Sequence, residues 1–163
     1  MLTSMRFTNL RSLLSQKPDA QAVIAGSSEY PDIRGIVNFY QTNDGVIVAA
    51  SVIGLPSSAD PCENYVFGFH VHEGGSCTGN AEDPFADTGM HYNPGDCEHP
   101  YHAGDLPPLF ENNGLAMMAV LTNRFKVSEV VGRTVLVHSS PDDFTTQPAG
   151  NSGAKIACGV IER

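Results

Sequence analysis

In the segment Phe67-Gly68-Phe69-His70-Val71-His72, apolar and polar side chains alternate with the two-residue period of a β-strand. The alternation predicts that Phe67, Phe69 and Val71 share the face that enters a core. His70 and His72 share the opposite face and point away from that core. We therefore expect a strand that presents two imidazoles on a rigid support.

Short β-rich runs of this kind continue through most of the chain, and turn signals such as Asn43-Asp44-Gly45 separate them. The pattern predicts strands in residues 21–25, 33–41, 46–55, 64–72, 115–121, 134–138 and 155–162. No helical pattern of the length that parallel strands need lies between them. We therefore predict an all-β fold, a β-sandwich or flattened barrel of antiparallel strands.

The composition fits one globular domain. The chain has 163 residues with 16 glycines and 11 prolines, and 41% of it is hydrophobic and 17% charged. These values exclude a disordered chain, and no apolar run is long enough to span a bilayer, so no membrane partner is expected. The net charge of −9 argues against a nucleic-acid partner, because binding phosphates requires clustered Lys and Arg.

The first part of the chain, residues 1–20, is expected to be an extension ahead of a domain formed by residues 21–163. Apolar residues at helical spacing predict a short amphipathic helix that ends before Pro18: Phe7, Leu10, Leu13 and Leu14. Two arginines interrupt this apolar pattern, so a secretory signal is not expected. We predict a cytoplasmic protein, with export as the alternative because disulfides suit an oxidising space.

More polar chemistry follows two predicted strands. In Thr134-Val135-Leu136-Val137-His138, alternation places His138 opposite Val135 and Val137. The strand-free residues 73–114 and 139–153 each begin directly after a histidine, and loops of this length are usually functional. The first of them supplies three imidazoles and a carboxylate, which form a closed tetrahedral zinc set: His91, His99, His102 and Asp105.

Counting ligands predicts a shared histidine. A copper site of four imidazoles and this zinc set of four ligands together require eight ligand positions. The six histidines and Asp105 provide seven. Because an imidazole has two ring nitrogens, one deprotonated ring can join two ions. His91 lies in sequence between the two ligand groups and is the candidate for the bridge.

Five motifs at compatible spacing resemble the copper/zinc superoxide dismutase family from about residue 21 to the end of the chain. They are His70-Val71-His72-Glu73, Gly89-Met90-His91-Tyr92-Asn93-Pro94, His102-Ala103-Gly104-Asp105-Leu106, Gly132-Arg133-Thr134-Val135-Leu136-Val137-His138 and Gly150-Asn151-Ser152-Gly153-Ala154-Lys155-Ile156-Ala157-Cys158-Gly159-Val160-Ile161. The resemblance implies a Greek-key sandwich of about eight strands. Residues 73–114 would be its metal-binding loop and residues 139–153 its electrostatic loop.

The resemblance also implies an oxidoreductase that converts superoxide to oxygen and hydrogen peroxide through a copper that cycles between two oxidation states. Its copper ligands would be His70, His72, His91 and His138. Its zinc ligands would be His91, His99, His102 and Asp105. The bridging His91 would leave copper and take up a proton in the reduced state. Asp142 matches the carboxylate that links a copper-ligand histidine to a zinc-ligand histidine.

The cysteines divide into two pairs. By resemblance, Cys77 and Cys158 form the family's disulfide, which would tether the metal-binding loop to the sandwich. Cys62 and Cys97 lie outside the common pattern of the family. They form either a second disulfide or two free thiols, and the sequence leaves both alternatives open.

The substrate side departs from the family at Lys155, where the family has an arginine that attracts and aligns superoxide. Lysine keeps the charge but lacks the planar fork, so we expect Lys155→Arg to raise turnover. The electrostatic loop is also shorter than in the animal enzymes and lacks their charged guiding residues. Weaker steering of the anion and slower catalysis are therefore expected.

Two alternatives accompany this interpretation. A non-enzymatic relative, a copper buffer or a zinc-stabilised structural protein, would keep the ligands without turnover. A cupin-type enzyme also has an HxH strand, but it requires a glutamate a few residues later, where Ser76 and Cys77 lie. The chain ends at Glu162-Arg163, where the animal enzymes continue with apolar residues that join two subunits. An animal-type homodimer is therefore not expected, and the oligomeric state stays open.

Overall fold

The computed structural model describes residues 9–60, 62–63 and 65–163. Its helices are α1 (Leu10–Leu14) and α2 (Val127–Val130), with a 3-10 turn at Ala86–Thr88. Its strands are β1 (Ala20–Gly26), β2 (Arg34–Thr42), β3 (Gly45–Ile53), β4 (Val66–Phe67), β5 (Phe69–His72), β6 (Leu109–Phe110), β7 (Ala116–Thr122), β8 (Thr134–His138) and β9 (Lys155–Glu162).

Seven antiparallel strands form one curled sheet in the order β5-β8-β9-β1-β2-β3-β7, and β4 pairs with β6 in a second, small sheet. Strands β1, β2 and β3 follow one another through short turns. The other neighbours, such as β9 beside β1, are brought together by longer connections, as in Greek-key folds. The predicted all-β sandwich of antiparallel strands is confirmed, and β5, which carries the HxH pair, forms one edge of the large sheet.

The prediction of a single strand over residues 64–72 is wrong for its described part, residues 65–72. Two short strands, β4 and β5, lie there in different sheets, with Gly68 between them. The Gly68 amide donates to the Ser140 carbonyl at 2.8 Å, and the His138 amide donates to the Gly68 carbonyl at 2.8 Å. A Cβ at position 68 would lie 2.8 Å from the Ser152 side chain, so glycine permits this close approach to the electrostatic loop.

Phe67, Phe69 and Val71 are fully buried in the main hydrophobic core, on the face that the alternation predicts. His70 and His72 point away from this core, yet they are buried as well. The loops of residues 73–114 and 139–153 supply the atoms that cover them, including Gly89 and Asp142. The histidines therefore lie between the sheet and the loops, in a second and polar interior.

The described part of the N-terminal extension contains α1. The Asn9 side chain accepts a hydrogen bond from the Ser12 amide and caps the helix, which ends before Pro18. The beginning of the predicted helix, with Phe7, lies outside the described residues. Strand β1 begins at Ala20, and the proposed division of the chain at residue 20 stays a prediction. Among the described residues, no helix meets the length and hydropathy of a bilayer-spanning segment.

Candidate metal centre

Strands β5 and β8 place three histidines beside one another. The two strands are antiparallel neighbours, with His70 opposite Leu136 and Phe69 opposite Val137. His138 ends β8, and its Nε2 atom lies 3.2 Å from Nε2 of His72. Two nitrogens at this distance, both on strand-borne rings, are arranged to share one cation.

The metal-binding loop adds to the free edge of β5. The Tyr92 amide donates to the Val71 carbonyl at 2.8 Å, and the Val71 amide donates to the Gly104 carbonyl at 2.9 Å. This pairing brings His91 opposite His72 and Asp105 opposite His70. A Cβ at position 104 would collide with the Val71 carbonyl, so glycine is required where the loop crosses the strand.

The first candidate ligand set consists of four buried histidines. Each offers one ring nitrogen, and these four nitrogens lie within 4.8 Å of one another: His70, His72, His91 and His138. The hydrogen bond of one ring nitrogen shows that the other nitrogen of the same ring is available to a metal. His72 Nδ1 donates to the Gly89 carbonyl at 2.9 Å, which leaves Nε2 for a metal. His70 Nε2 donates to Asp142 at 2.8 Å, which leaves Nδ1.

The second candidate set comes entirely from the metal-binding loop, and its ligand atoms also lie within 4.8 Å of one another: His91, His99, His102 and Asp105. Asp105 lies at its centre, with its Oδ1 2.7 Å from His91 Nδ1 and its Oδ2 3.0 Å from His99 Nδ1. Three imidazoles and one carboxylate at this spacing are a zinc-type donor set.

His91 belongs to both sets. Its Nδ1 faces Asp105, whereas its Nε2 belongs with the first set and is buried without a hydrogen-bond partner. In the described part of the chain, only two other buried side-chain polar atoms lack a partner, Nδ1 of His70 and Nδ1 of His99. Buried polar atoms are normally paired. All three orphans are imidazole nitrogens of these two sets, so the residues fit a pair of metal ions.

Asp142 fixes the orientation of one histidine from each set. Its two carboxylate oxygens accept from His70 Nε2 and His99 Nε2, each at 2.8 Å. Burial raises the pKa of Asp142, but hydrogen bonds from His70, the Phe144 amide and His99 outweigh it and hold the pKa well below its ordinary value. Gly150 packs against this carboxylate, where a Cβ would collide with Oδ1. The ionised carboxylate requires both rings to donate, which leaves each Nδ1 free for a metal.

Burial keeps the strand-borne histidines neutral. Desolvation and the neighbouring imidazoles lower the pKa of His138 to about 3. The same two causes hold the pKa of His72 well below its usual range. Desolvation also lowers the pKa of His70, although its hydrogen bond to Asp142 opposes the shift. A metal binds the neutral imidazole, and these rings are already neutral, so binding does not have to displace a proton from them.

The structure brings together all seven predicted ligands and Asp142, but it places Lys155 differently from a free substrate-binding cation. The Lys155 ammonium donates to Asp83 Oδ2 at 2.9 Å and to the Phe85 carbonyl at 3.1 Å. No motif in the sequence signals Asp83 as a functional residue, because its partner Lys155 lies 72 residues away.

Cys77 and Cys158 form the expected disulfide. Cys62 and Cys97 are exposed and free, so of the two alternatives for this pair the structure has free thiols. The Cys97 backbone is held inside its own loop, where its amide and carbonyl both bond to the Asn93 side chain. The second disulfide is absent from the structure.

A sandwich that brings a four-imidazole set and a three-imidazole, one-carboxylate set together around one shared ring defines a dinuclear metalloprotein with copper- and zinc-type ligands. The family model for copper/zinc superoxide dismutase matches residues 33–161. The chain belongs to the copper/zinc superoxide dismutase family.

Curated relatives agree with this assignment. A protein of Legionella pneumophila named superoxide dismutase [Cu-Zn] is 32% identical, with 95% of this chain and 94% of the relative covered. Superoxide dismutase [Cu-Zn] 2 of Aquifex aeolicus is 30% identical, with 80% of each chain covered. The superoxide dismutase [Cu-Zn] of Photobacterium leiognathi is 32% identical, with 78% of each chain covered.

Proposed function

We propose that the chain is a copper- and zinc-dependent superoxide dismutase. The observation that carries this proposal is the His91 ring, whose two nitrogens each face a separate and otherwise complete ligand set. Bound copper would supply a one-electron couple, by which one superoxide is oxidised to oxygen and a second one, with two protons, is reduced to hydrogen peroxide. The family membership and this geometry agree, and they favour the enzyme over the non-enzymatic alternative.

The chain's own residues have distinct tasks in this reaction. His70, His72 and His138 would hold the copper from rigid strands, with their neutral rings aimed by hydrogen bonds. His99, His102 and Asp105 would hold zinc on the other side of the shared ring. His91 Nε2 lies inside the copper set and is the atom that can hold a proton when it is not bound to metal. Asp142 keeps one ring of each set in the required tautomer.

Two substitutions test the two sites separately. We expect His138→Ala to lose copper and dismutase activity, because it removes one strand-borne ligand, and Asp105→Ala to lose mainly zinc. The measurements are copper and zinc content after loading with both metals, and a dismutase assay on the same samples. Glu98→Gln, an exposed change in the same loop, is the control and should retain both. A fully active, copper-loaded His138→Ala protein contradicts the assignment, and a loaded wild type without turnover favours the metal-buffer alternative.

The cytoplasmic location stays a proposal, with export as its alternative. The Cys77–Cys158 disulfide requires a compartment whose redox conditions do not reduce it. Fractionation of the native host, followed by thiol trapping of these two cysteines, tests the proposal. Recovery in an exported fraction would contradict it.

A further inference from the structure

Lys155 forms the only Lys or Arg ion pair with a carboxylate in the described part of the chain, since the other five short pairs all involve histidine. Its ammonium donates to Asp83 Oδ2 at 2.9 Å and to the Phe85 carbonyl at 3.1 Å. An ammonium has three donor hydrogens, so two of them are occupied. The Lys155 side chain is only 16% exposed, whereas that of Asp83 is 39% exposed.

This ion pair lies beside the proposed copper site. Lys155 begins β9 and is the Cα partner of His138 at the end of β8. Asp83 comes from the metal-binding loop, and the Cys77–Cys158 disulfide ties that loop to β9 three residues beyond Lys155. The loop therefore carries a carboxylate to a cation that is adjacent in the sheet to a copper-set histidine.

The charges oppose the capture of an anion. The chain has a net charge of −9, so a small anion that approaches the site depends on local positive charge. The Lys155 ammonium is such a charge, but Asp83 cancels it at short range. An anion at this place must compete with Asp83 for the same donors.

We propose that Asp83 is a positioning residue that limits anion binding on the copper side by holding and neutralising Lys155. The proposal rests on the copper centre of the proposed function and deepens it by naming the residue that sets the affinity for the anion. Asp83→Asn separates charge from fold. Asp83 Oδ1 accepts from the Phe85 amide at 2.9 Å, and the asparagine carbonyl can keep that bond while the carboxylate charge is lost.

The test uses the copper- and zinc-loaded protein and azide, a small anion whose binding to Cu(II) is followed by its charge-transfer absorption. Azide dissociation constants are measured at low and high ionic strength for wild type, Asp83→Asn and the control Glu82→Gln. Glu82 is the neighbouring exposed carboxylate, and no hydrogen bond of its side chain is present among the described residues. The control thus removes the same formal charge without releasing Lys155.

We expect Asp83→Asn to tighten azide binding about threefold or more at low salt, with a smaller gain at high salt, and Glu82→Gln to change it by less than about twofold. Adding Lys155→Met to Asp83→Asn should abolish the gain. Equal effects of Asp83→Asn and Glu82→Gln, weaker binding in Asp83→Asn, or a gain that persists without Lys155 would each overturn the proposal.

These outcomes are separable from those of the proposed function, because azide affinity does not depend on turnover. A loaded protein that binds azide as expected but does not dismutate superoxide contradicts the proposed activity and leaves the role of Asp83 intact. A protein that takes up no copper contradicts both.

Discussion

At the scale of single residues, Arg124 is a support of the zinc side that no motif in the sequence signals. Its Nη1 atom lies 2.9 Å from the Pro100 carbonyl, 3.2 Å from the His102 carbonyl and 3.5 Å from the Asp105 carbonyl. Arg124 lies between β7 and α2, so it connects the sandwich to the backbone of two zinc-set residues. It contacts the backbone carbonyls of these ligands and not their metal-binding atoms.

Replacing Arg124 by alanine should weaken zinc binding about tenfold, since loss of an outer support of metal ligands typically costs this much. Copper affinity should change less, because three of the four copper-set histidines lie on strands. Competition with a chromogenic chelator measures both affinities. Arg163→Ala, which removes an exposed arginine directly after β9, is the control. Unchanged zinc affinity in Arg124→Ala would show that the three carbonyl contacts do not orient the site.

The Asp83–Lys155 pair should also make a small, pH-dependent contribution to stability. Burial raises the pKa of Asp83, but hydrogen bonds from Lys155 and the Phe85 amide prevail and lower it from 3.8. A lowered folded-state pKa gives stability that is present above the unfolded value and is lost as the pH falls through the folded value. Because Asp83 is 39% exposed, the contribution should be below about 1 kcal/mol.

Urea unfolding of wild type and Asp83→Asn at about pH 7, 5 and 3.5 measures this contribution as a difference, so that other titrating groups cancel. We expect wild type to be slightly more stable at the two higher pH values and the difference to shrink at the lowest one. A difference that grows as the pH falls would contradict the sign of the pKa shift.

At the scale of elements, the disulfide joins the metal-binding loop to the centre of a strand. Cys77 and Cys158 are 81 residues apart in sequence, and Cys158 on β9 packs with Phe85 and Leu136 in a small buried cluster. The bond therefore closes a long loop in the unfolded chain and also holds the segment that carries Asp83.

Cys77→Ser should lower the free energy of unfolding by about 2–5 kcal/mol, as removal of a native disulfide commonly does. Chemical unfolding of the metal-free proteins under non-reducing conditions measures the loss. Cys97→Ser removes an exposed thiol without a disulfide and is expected to leave stability nearly unchanged. Equal stability of Cys77→Ser and wild type would mean that the sandwich holds the loop without the bond.

The β-rich runs of the sequence predict β8 and β9 with the bounds that the structure shows, because most side chains of both strands are apolar and buried. It does not predict the break at Gly68 or the short strand β6 inside the metal-binding loop. Hydrogen bonds to distant parts of the chain determine both features. The metal ligands could be predicted from the sequence, because the number and spacing of the histidines and Asp105 indicate them. Asp83 could not, because its partner Lys155 is distant in sequence and only the folded chain brings the two together.

At the scale of the whole molecule, the two candidate metal sites depend on different parts of the architecture. The copper set takes three of its four histidines from β5 and β8, which hydrogen bonds of the large sheet already hold. The zinc set takes every ligand from the metal-binding loop, residues 73–114, which contains only a 3-10 turn and one two-residue strand. Zinc should therefore order the loop, and copper should occupy a site that is largely formed.

This division predicts unequal effects of the two metals on the metal-free protein. Zinc alone should raise the melting temperature more than copper alone. As a guide to the size of the effect, a metal at about 100 times its dissociation constant raises the free energy of unfolding by about 2.7 kcal/mol. Amide hydrogen exchange locates the effect: zinc should slow exchange in the metal-binding loop, whereas β1, β2 and β3, which lie away from both sets, serve as the internal control. Copper should protect mainly the ends of β5 and β8. If copper alone protected the loop as strongly as zinc does, the loop would be ordered through His91 alone, and the separation of the two sites by architecture would be wrong.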